Sequence, residues 1–308
     1  VSRVVHRSAF GGPEVLDVRE VPDPHAGPGE IRLAVGAIGL NPMDRQIAAS
    51  AHHAARFGIT GPSGFGCDLA GVVDEVGHGV TEFAEGDRVH GGVLVGAAAD
   101  HVVLRVPPAP PHLLVPTPDG IDDATAAALP TPGLTALAAV EAIRPGPSDV
   151  VLIGGAAGGV GVLAVQLARL AGAEVIGTGA PGTFDFLRRL GAAPVAYGPG
   201  LSERVRETAS GGITAAIDLH GAETAEAALA LGVPAARIAT VASEHHLPGV
   251  HATGACAADP ASLGRLAEAV IRGDVTVPIA ARFPLSEIRD AVTLQSSGHV
   301  HGKVIVTR

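Results

Sequence analysis

Three glycines, Gly155, Gly158 and Gly161, are spaced as GxxGxxG within the run GGAAGGVG. Backbone without Cβ atoms can turn sharply, lets an anion approach main-chain N–H groups, and allows a helix to pack closely on a strand. A helix beginning at such a turn adds unpaired N–H groups and the positive end of its dipole. Together these features suit the pyrophosphate of a dinucleotide. In a chain with 42 glycines the spacing alone decides little, so the flanks carry the argument. Residues 150–153 form the short apolar, β-branched run of a parallel strand buried on both faces. Residues 162–170 have the composition of a helix, closed by Gly172 at its C′ position. Strand, turn and helix start are in register, the context that a dinucleotide fingerprint requires.

The next strand, predicted over 173–177, runs out at Thr178 and Gly179, about 20 residues beyond the glycines. A fingerprint for unphosphorylated NAD carries Asp or Glu there for the ribose hydroxyls, and this chain has neither. Without that charge a 2′-phosphate meets no repulsion, which favours NADPH. The loop 179–183 brings no Arg or Lys to pair with the phosphate. Thr178, Thr183 and Tyr197 offer neutral hydrogen bonds, and Arg188 or Arg189 could reach over from the following helix.

The rest of the chain must position this turn. At 308 residues it exceeds the usual size of a single core, which points to two domains. A hydrophobic content of 47% with 17% charged residues provides for packed cores and excludes a disordered chain. A net charge of −10 argues against nucleic acid or an anionic membrane as the main partner. Apolar stretches are cut well short of the ~18 residues of a spanning helix, and residues 1–10 lack the layout of a secretory signal, so a cytoplasmic location is expected. Two cysteines, Cys67 and Cys256, make neither a disulfide framework nor a metal pattern.

In chain order, residues 1 to about 115 read as β-rich. Strands are predicted over 15–21, 30–38, 72–76, 88–95 and 101–106, separated by Gly/Pro turns, as in a partly open barrel or sandwich. Asn41-Pro42-Met43-Asp44 opens a short helix with Asp44 as its cap, and 48–64 reads as a loop with some helix. The proline-dense segment 107–120 reads as a stiff connector. Helices over 122–129 and 134–143 lead into alternating strands and helices, the pattern of a doubly wound parallel sheet in an α/β fold. After about residue 256 the alternation breaks. Helices at 260–272 and 286–295 and strands at 275–283 and 303–306 return to the first domain. The domains are therefore placed at 1–120, 121–256 and 257–308.

With these residues in hand, the chain resembles the zinc-independent quinone oxidoreductase branch of the medium-chain dehydrogenase/reductase superfamily. The likeness runs through Gly11-Gly12-Pro13-Glu14-Val15-Leu16, Asn41-Pro42-Met43-Asp44, the run from Gly66 to Val73, Gly86-Asp87-Arg88-Val89, Gly133-Leu134-Thr135, the glycine turn, and Gly302-Lys303-Val304-Ile305-Val306. The resemblance implies a GroES-like β-rich catalytic domain, a Rossmann domain, NADPH and a homodimer. It places Thr135 and Asn41 beside the nicotinamide ribose and ring, and Gly158, Gly159 and Val160 around the pyrophosphate. Thr178 and Tyr197 fall at the adenosine end and Lys303 close to the cleft. Zinc alcohol dehydrogenases, similar overall, carry Cys near Asn41 and His-Glu near Cys67-Asp68. Asn41 supplies no thiolate and no cysteine cluster exists, so no metal site is expected. Reduction of a simple carbonyl benefits from a Lewis acid, whereas a conjugated acceptor spreads its charge over an enolate that hydrogen-bond donors can stabilise.

The expected activity is therefore hydride transfer from NADPH to a quinone or other conjugated carbonyl. The alternatives are an enone or enoyl (alkene) reductase of a biosynthetic pathway, or a non-catalytic NADPH-binding relative. Many relatives carry Tyr eleven residues after the Asn, where this chain has His52. An imidazole there is a candidate proton donor, weighed against a solvated loop residue. Cys67 reads as a small buried apolar residue, Asp68 as a loop holder, and His299 with His301 as surface.

Overall fold

The structure is a computed structural model describing residues 1–243, 246–298 and 300–308, so His299 of the His299/His301 pair lies outside the described residues. It divides into two units. One comprises Val1–Thr131, Leu263–Ile271 and Ile279–Arg308, and the other Pro132–Ser262 and Arg272–Pro278.

The first unit opens with β1 (Ser2–Arg7), β2 (Leu16–Val21) and β3 (Glu30–Gly39), the last with alternating buried and half-buried residues over most of its length, followed by helices α1 (Pro42–Ala49) and α2 (Ala51–Ala55). Strands β4 (Ser63–Gly64), β5 (Asp68–Val76), β6 (Arg88–Gly92), β7 (His101–Arg105) and β8 (Leu113–Pro116) come next, and then α3 (Asp123–Ala127). The long strand β3 is the organiser, pairing antiparallel with β5 along one edge and with β7 along the other. Leu33, Val35 and Ile38 of β3, with Leu69 and Val73 of β5, form the core of a partly open barrel.

Three expectations need correction here. The connector 107–120 contains β8, because Leu113, Leu114 and Val115 pair with β6 at the sheet margin, where Pro116 is tolerated. The first unit also extends past residue 120. Gly39 brings β3 so close to α3 that a Cβ would lie 2.1 Å from the Ala127 carbonyl, and this packing carries the unit to Thr131. Asp44 is not the N-cap of α1 either. Asn41 holds that position, and the Asp44 carboxylate accepts its N–H at 2.7 Å, the reciprocal arm of a capping box.

The second unit takes up the chain in α4 (Pro130–Ile143) and alternates β9 (Val150–Gly154), α5 (Gly161–Leu170), β10 (Glu174–Gly179), α6 (Phe184–Leu190), β11 (Ala193–Ala196) and α7 (Leu201–Thr208). β12 (Ala215–Asp218), α8 (Glu223–Ala230), β13 (Ile238–Thr240) and β14 (His251–Ala252) complete it. Every strand pairing is parallel, in the order β11-β10-β9-β12-β13-β14. The chain winds outward from β9 in one direction and from β12 in the other, so the crevice of such a sheet lies beyond the carboxyl ends of these two central strands. Leu152, Ile153 and Ile217 are fully buried, as central strands covered on both faces require.

The tail contributes α9 (Ser262–Ile271), β15 (Ile279–Pro284), α10 (Ile288–Ser296) and β16 (Lys303–Thr307). β16 pairs antiparallel with β3, which brings Lys303 beside residues 39–41 of the first unit.

Candidate functional site

Each fingerprint glycine in the second unit does a different job. Gly155 has φ +69°, a left-handed turn that L side chains rarely adopt. A Cβ on Gly161 would sit 2.2 Å from the Gly155 carbonyl oxygen, so the start of α5 packs on the turn only without one. A Cβ on Gly158 would meet nothing nearer than that same oxygen at 3.4 Å, which leaves the middle of the turn open to a visiting group. No side chain caps the N-terminus of α5. Open backbone, uncapped helix N–H groups and the sheet's switch point thus coincide, the arrangement that receives a pyrophosphate.

One buried side chain bonds this turn directly, and others fix neighbouring loops of the same unit. Thr178 is buried at the end of β10, and its Oγ1 accepts the Gly155 N–H at 3.1 Å. Asp218 is fully buried at the end of β12 and accepts the N–H groups of His220 and Ala225, each at 3.0 Å. Sequence reasoning missed Asp218, whose only signal is an acidic residue closing a buried strand. Thr183 donates its hydroxyl to the Ala180 carbonyl at 2.8 Å. Tyr197 stands 58% exposed after β11. Thr135 is buried on α4. Gly159 and Val160 lie in the turn leading into α5, with Val160 at its N-cap.

A buried polar cluster marks the first unit. The Lys303 ammonium, 3% exposed, donates to the Leu40 carbonyl at 2.8 Å and to Asn41 Oδ1 at 2.7 Å. Asn41 Nδ2 donates to the Gly39 carbonyl at 3.2 Å and to Asp68 Oδ2 at 2.8 Å. Asp68, with no exposed surface, also accepts the Thr131 hydroxyl at 2.6 Å and the Thr131 N–H, and it lies 3.8 Å from Lys303. Burial pushes Asp68 up and Lys303 down, while their mutual attraction opposes both shifts. Asn41 and Lys303 are thus engaged inside the unit, where they position one another. Thr131 went unnoticed in the sequence because nothing local ties it to a carboxylate 63 positions earlier.

Next to this cluster, burial raises the Asp44 carboxyl to about 6, and its Oδ1 has no partner. The Cys67 thiol donates to the Leu94 carbonyl at 3.0 Å and is raised well above its ordinary value, also by burial. His52, on the short helix α2, is exposed. Sequence spacing therefore located the turn, but side-chain contacts had to come from the structure.

Two family models match. The alcohol dehydrogenase GroES-like domain covers residues 27–105, and the zinc-binding dehydrogenase model covers 159–271. A quinone oxidoreductase of Pseudomonas aeruginosa is 30% identical over 334 residues, covering 99% of each chain. The chain belongs to the quinone oxidoreductase-like medium-chain dehydrogenases/reductases.

Solved members of this superfamily share the full architecture. A mycobacterial protein complexed with NADPH is 25% identical, with a TM-score of 0.85 and 100% of each chain covered. The CurK enoyl reductase is 26% identical, also with a TM-score of 0.85 and 99% of each chain covered. The pikromycin polyketide synthase component PikAII of Streptomyces venezuelae is 34% identical over 307 residues, which are 93% of this chain and 8% of that protein. The β-rich first unit is thus the GroES-like part of a medium-chain oxidoreductase, and the parallel sheet is its nucleotide-binding part.

The matched zinc-binding model raises the question of a metal. Among the described residues no group of three or more His, Cys, Asp or Glu side chains is arranged to hold one. Asn41 and Asp68 face the Lys303 ammonium, and the Cys67 thiol is held in its protonated form. A divalent cation added to this donor set would confront a buried positive charge, so these residues do not fit zinc.

Proposed function

We propose that the chain is an NADPH-dependent, zinc-independent oxidoreductase that delivers a hydride to a quinone or another conjugated carbonyl. The observation that carries this reading is the division of labour among Gly155, Gly158 and Gly161, which leaves an open backbone cradle at the switch point of a parallel sheet. The absence of a carboxylate at the end of β10 supports the phosphorylated cofactor, and the likeness to an NADPH-complexed structure agrees with it. A homodimer is part of this reading.

The protein's share of the chemistry is binding and orientation. Residues 155–161 take the pyrophosphate, and Thr178 keeps the turn in shape from below. A bound dihydronicotinamide supplies two electrons as hydride, and the reduced acceptor takes up one proton. His52, exposed on α2, is the candidate to deliver that proton. The Lys303 ammonium, buried among Asn41, Asp68 and Leu40, sets the electrostatic background of the first unit in place of a metal.

A second reading, reduction of an enoyl carbon–carbon double bond, is supported by the likeness to the CurK enoyl reductase and to a polyketide synthase component. Both readings share the hydride donor and differ in the acceptor. NADPH oxidation against a panel of quinones, enones and enoyl thioesters, with product analysis, separates them. Turnover of quinones alone supports the first, and saturated thioester products support the second. Tight NADPH binding without oxidation by any acceptor would make the chain a non-catalytic relative.

A further inference from the structure

The loop after β11 contains an arginine with an unusual set of partners. From the first turns of α7, Arg204 folds back over the carboxyl end of β11 and donates to four successive carbonyls. Nε reaches Ala196 at 2.9 Å, Nη1 reaches Pro199 at 2.8 Å, and Nη2 reaches Gly198 at 2.8 Å and Tyr197 at 3.2 Å. Carbonyls hold a guanidinium in place without cancelling its charge. Among the described residues no carboxylate forms an ion pair with Arg204, although Glu203 is its neighbour in sequence. By contrast, Arg188, from the neighbouring helix α6, is neutralised by Asp185 at 2.6 Å.

Strand register says what this fixed charge stands beside. β10 and β11 are parallel, with Thr178 opposite Val195 and Gly179 opposite Ala196. The Ala196 carbonyl that anchors Arg204 therefore lies one strand spacing, about 4.8 Å, from Gly179, the position where an NAD-binding sheet carries its ribose-binding acid. The β10–α6 loop itself, Ala180-Pro181-Gly182-Thr183, brings no charge. Tyr197 belongs to the loop that Arg204 ties down, and its ring is exposed at the same end of the sheet.

We infer that Arg204 supplies the charge that reads the 2′-phosphate of NADPH, from α7 and not from the β10–α6 loop, beside the Tyr197 that the resemblance already places at the adenosine end. This deepens the reading under Proposed function and rests on it. The guanidinium reads the phosphate by a charge-assisted hydrogen bond, and the phenol adds a neutral one.

The test is calorimetric titration of adenosine 2′,5′-bisphosphate and 5′-AMP, then NADPH and NADH, into the wild type, Arg204→Gln and Arg204→Lys. Circular dichroism melts serve as the check on folding. Wild type is expected to prefer the 2′-phosphorylated member of each pair by about ten- to a hundredfold, falling with added salt. Arg204→Gln, which keeps donors for the carbonyls but no charge, should lose that preference while 5′-AMP affinity stays within about twofold. Arg204→Lys should retain part of it. A parallel loss for both nucleotides in Arg204→Gln, or a preference that survives there, overturns the assignment and leaves the NADPH reading intact. Loss of all preference in Arg204→Lys also overturns it, even if Arg204→Gln fails to fold. A wild type indifferent to the 2′-phosphate overturns both.

Discussion

At the glycine turn of the second unit the working atoms belong to the main chain, and side chains matter there by their absence. In the buried cluster of the first unit the groups that bond one another are the side chains of Asn41, Asp68, Thr131 and Lys303, completed by the Gly39 and Leu40 carbonyls and the Thr131 N–H. The turn spends the Gly155 and Gly158 N–H groups on its own shape and leaves the start of α5 without a side-chain cap, whereas the cluster consumes its own donors and acceptors, with Asn41 and Lys303 bonded to each other. A binding surface and an internal scaffold can thus be told apart by asking which polar groups are left over.

Two glycine substitutions test one side of this contrast most severely. Gly161→Val should prevent the second unit from folding, because its Cβ would lie 2.2 Å from a backbone oxygen that cannot yield. Gly158→Val should melt with the wild type yet lose nucleotide affinity by about a hundredfold or more, since its side chain enters only the space reserved for the ligand. Melting curves and nucleotide titrations of the pair distinguish the two roles, and similar behaviour in both variants would erase the distinction.

The cluster should respond in stability and not in binding. Asp68→Ala removes the main counter-charge of the buried Lys303 ammonium, which should cost about 3–5 kcal/mol in denaturant unfolding. Adding Lys303→Met should restore part of that loss. A double variant no better than the single would mean that Lys303 does not depend on Asp68.

A smaller effect is expected at Asp44, and its sign follows from burial. The folded carboxyl titrates at about 6, above the ordinary value of about 4, so the native state binds the extra proton between these limits. Wild-type stability therefore declines as pH rises through that window, and the full cost is present above it. Asp44→Asn should match the wild type below about pH 4 and exceed it by about 3 kcal/mol at pH 7–8, read from urea midpoints. A constant difference across pH would refute the buried-acid account. His52→Phe should change stability least, within about 0.5 kcal/mol, because the imidazole is exposed. A lowered turnover with unaltered NADPH affinity would mark it as the proton donor.

The same contrast explains what could be read in advance. The turn was legible because Gly155 to Gly161 are contiguous, and each glycine answers a local steric demand. The parallel sheet was legible from buried apolar runs such as that of β9. β1 was not recognised as a strand, since its polar residues gave no clean period, and β8 was hidden by surrounding prolines. The cluster was illegible for a different reason. Lys303 and Asn41 are 262 residues apart, and only the pairing of β16 with β3 brings them together. Thr131, Asp218 and Arg204 escaped notice likewise, because their partners are set by register and not by neighbours in sequence.

The most direct measurement is calorimetric titration of NADPH into the wild-type chain and into Gly158→Val under identical conditions, with melting curves on the same samples. Saturable binding by the wild type, abolished in a variant that melts at the same temperature, is the expected result. Equal affinity in the two proteins would contradict the placement of the nucleotide on this turn, and with it the proposed reductase.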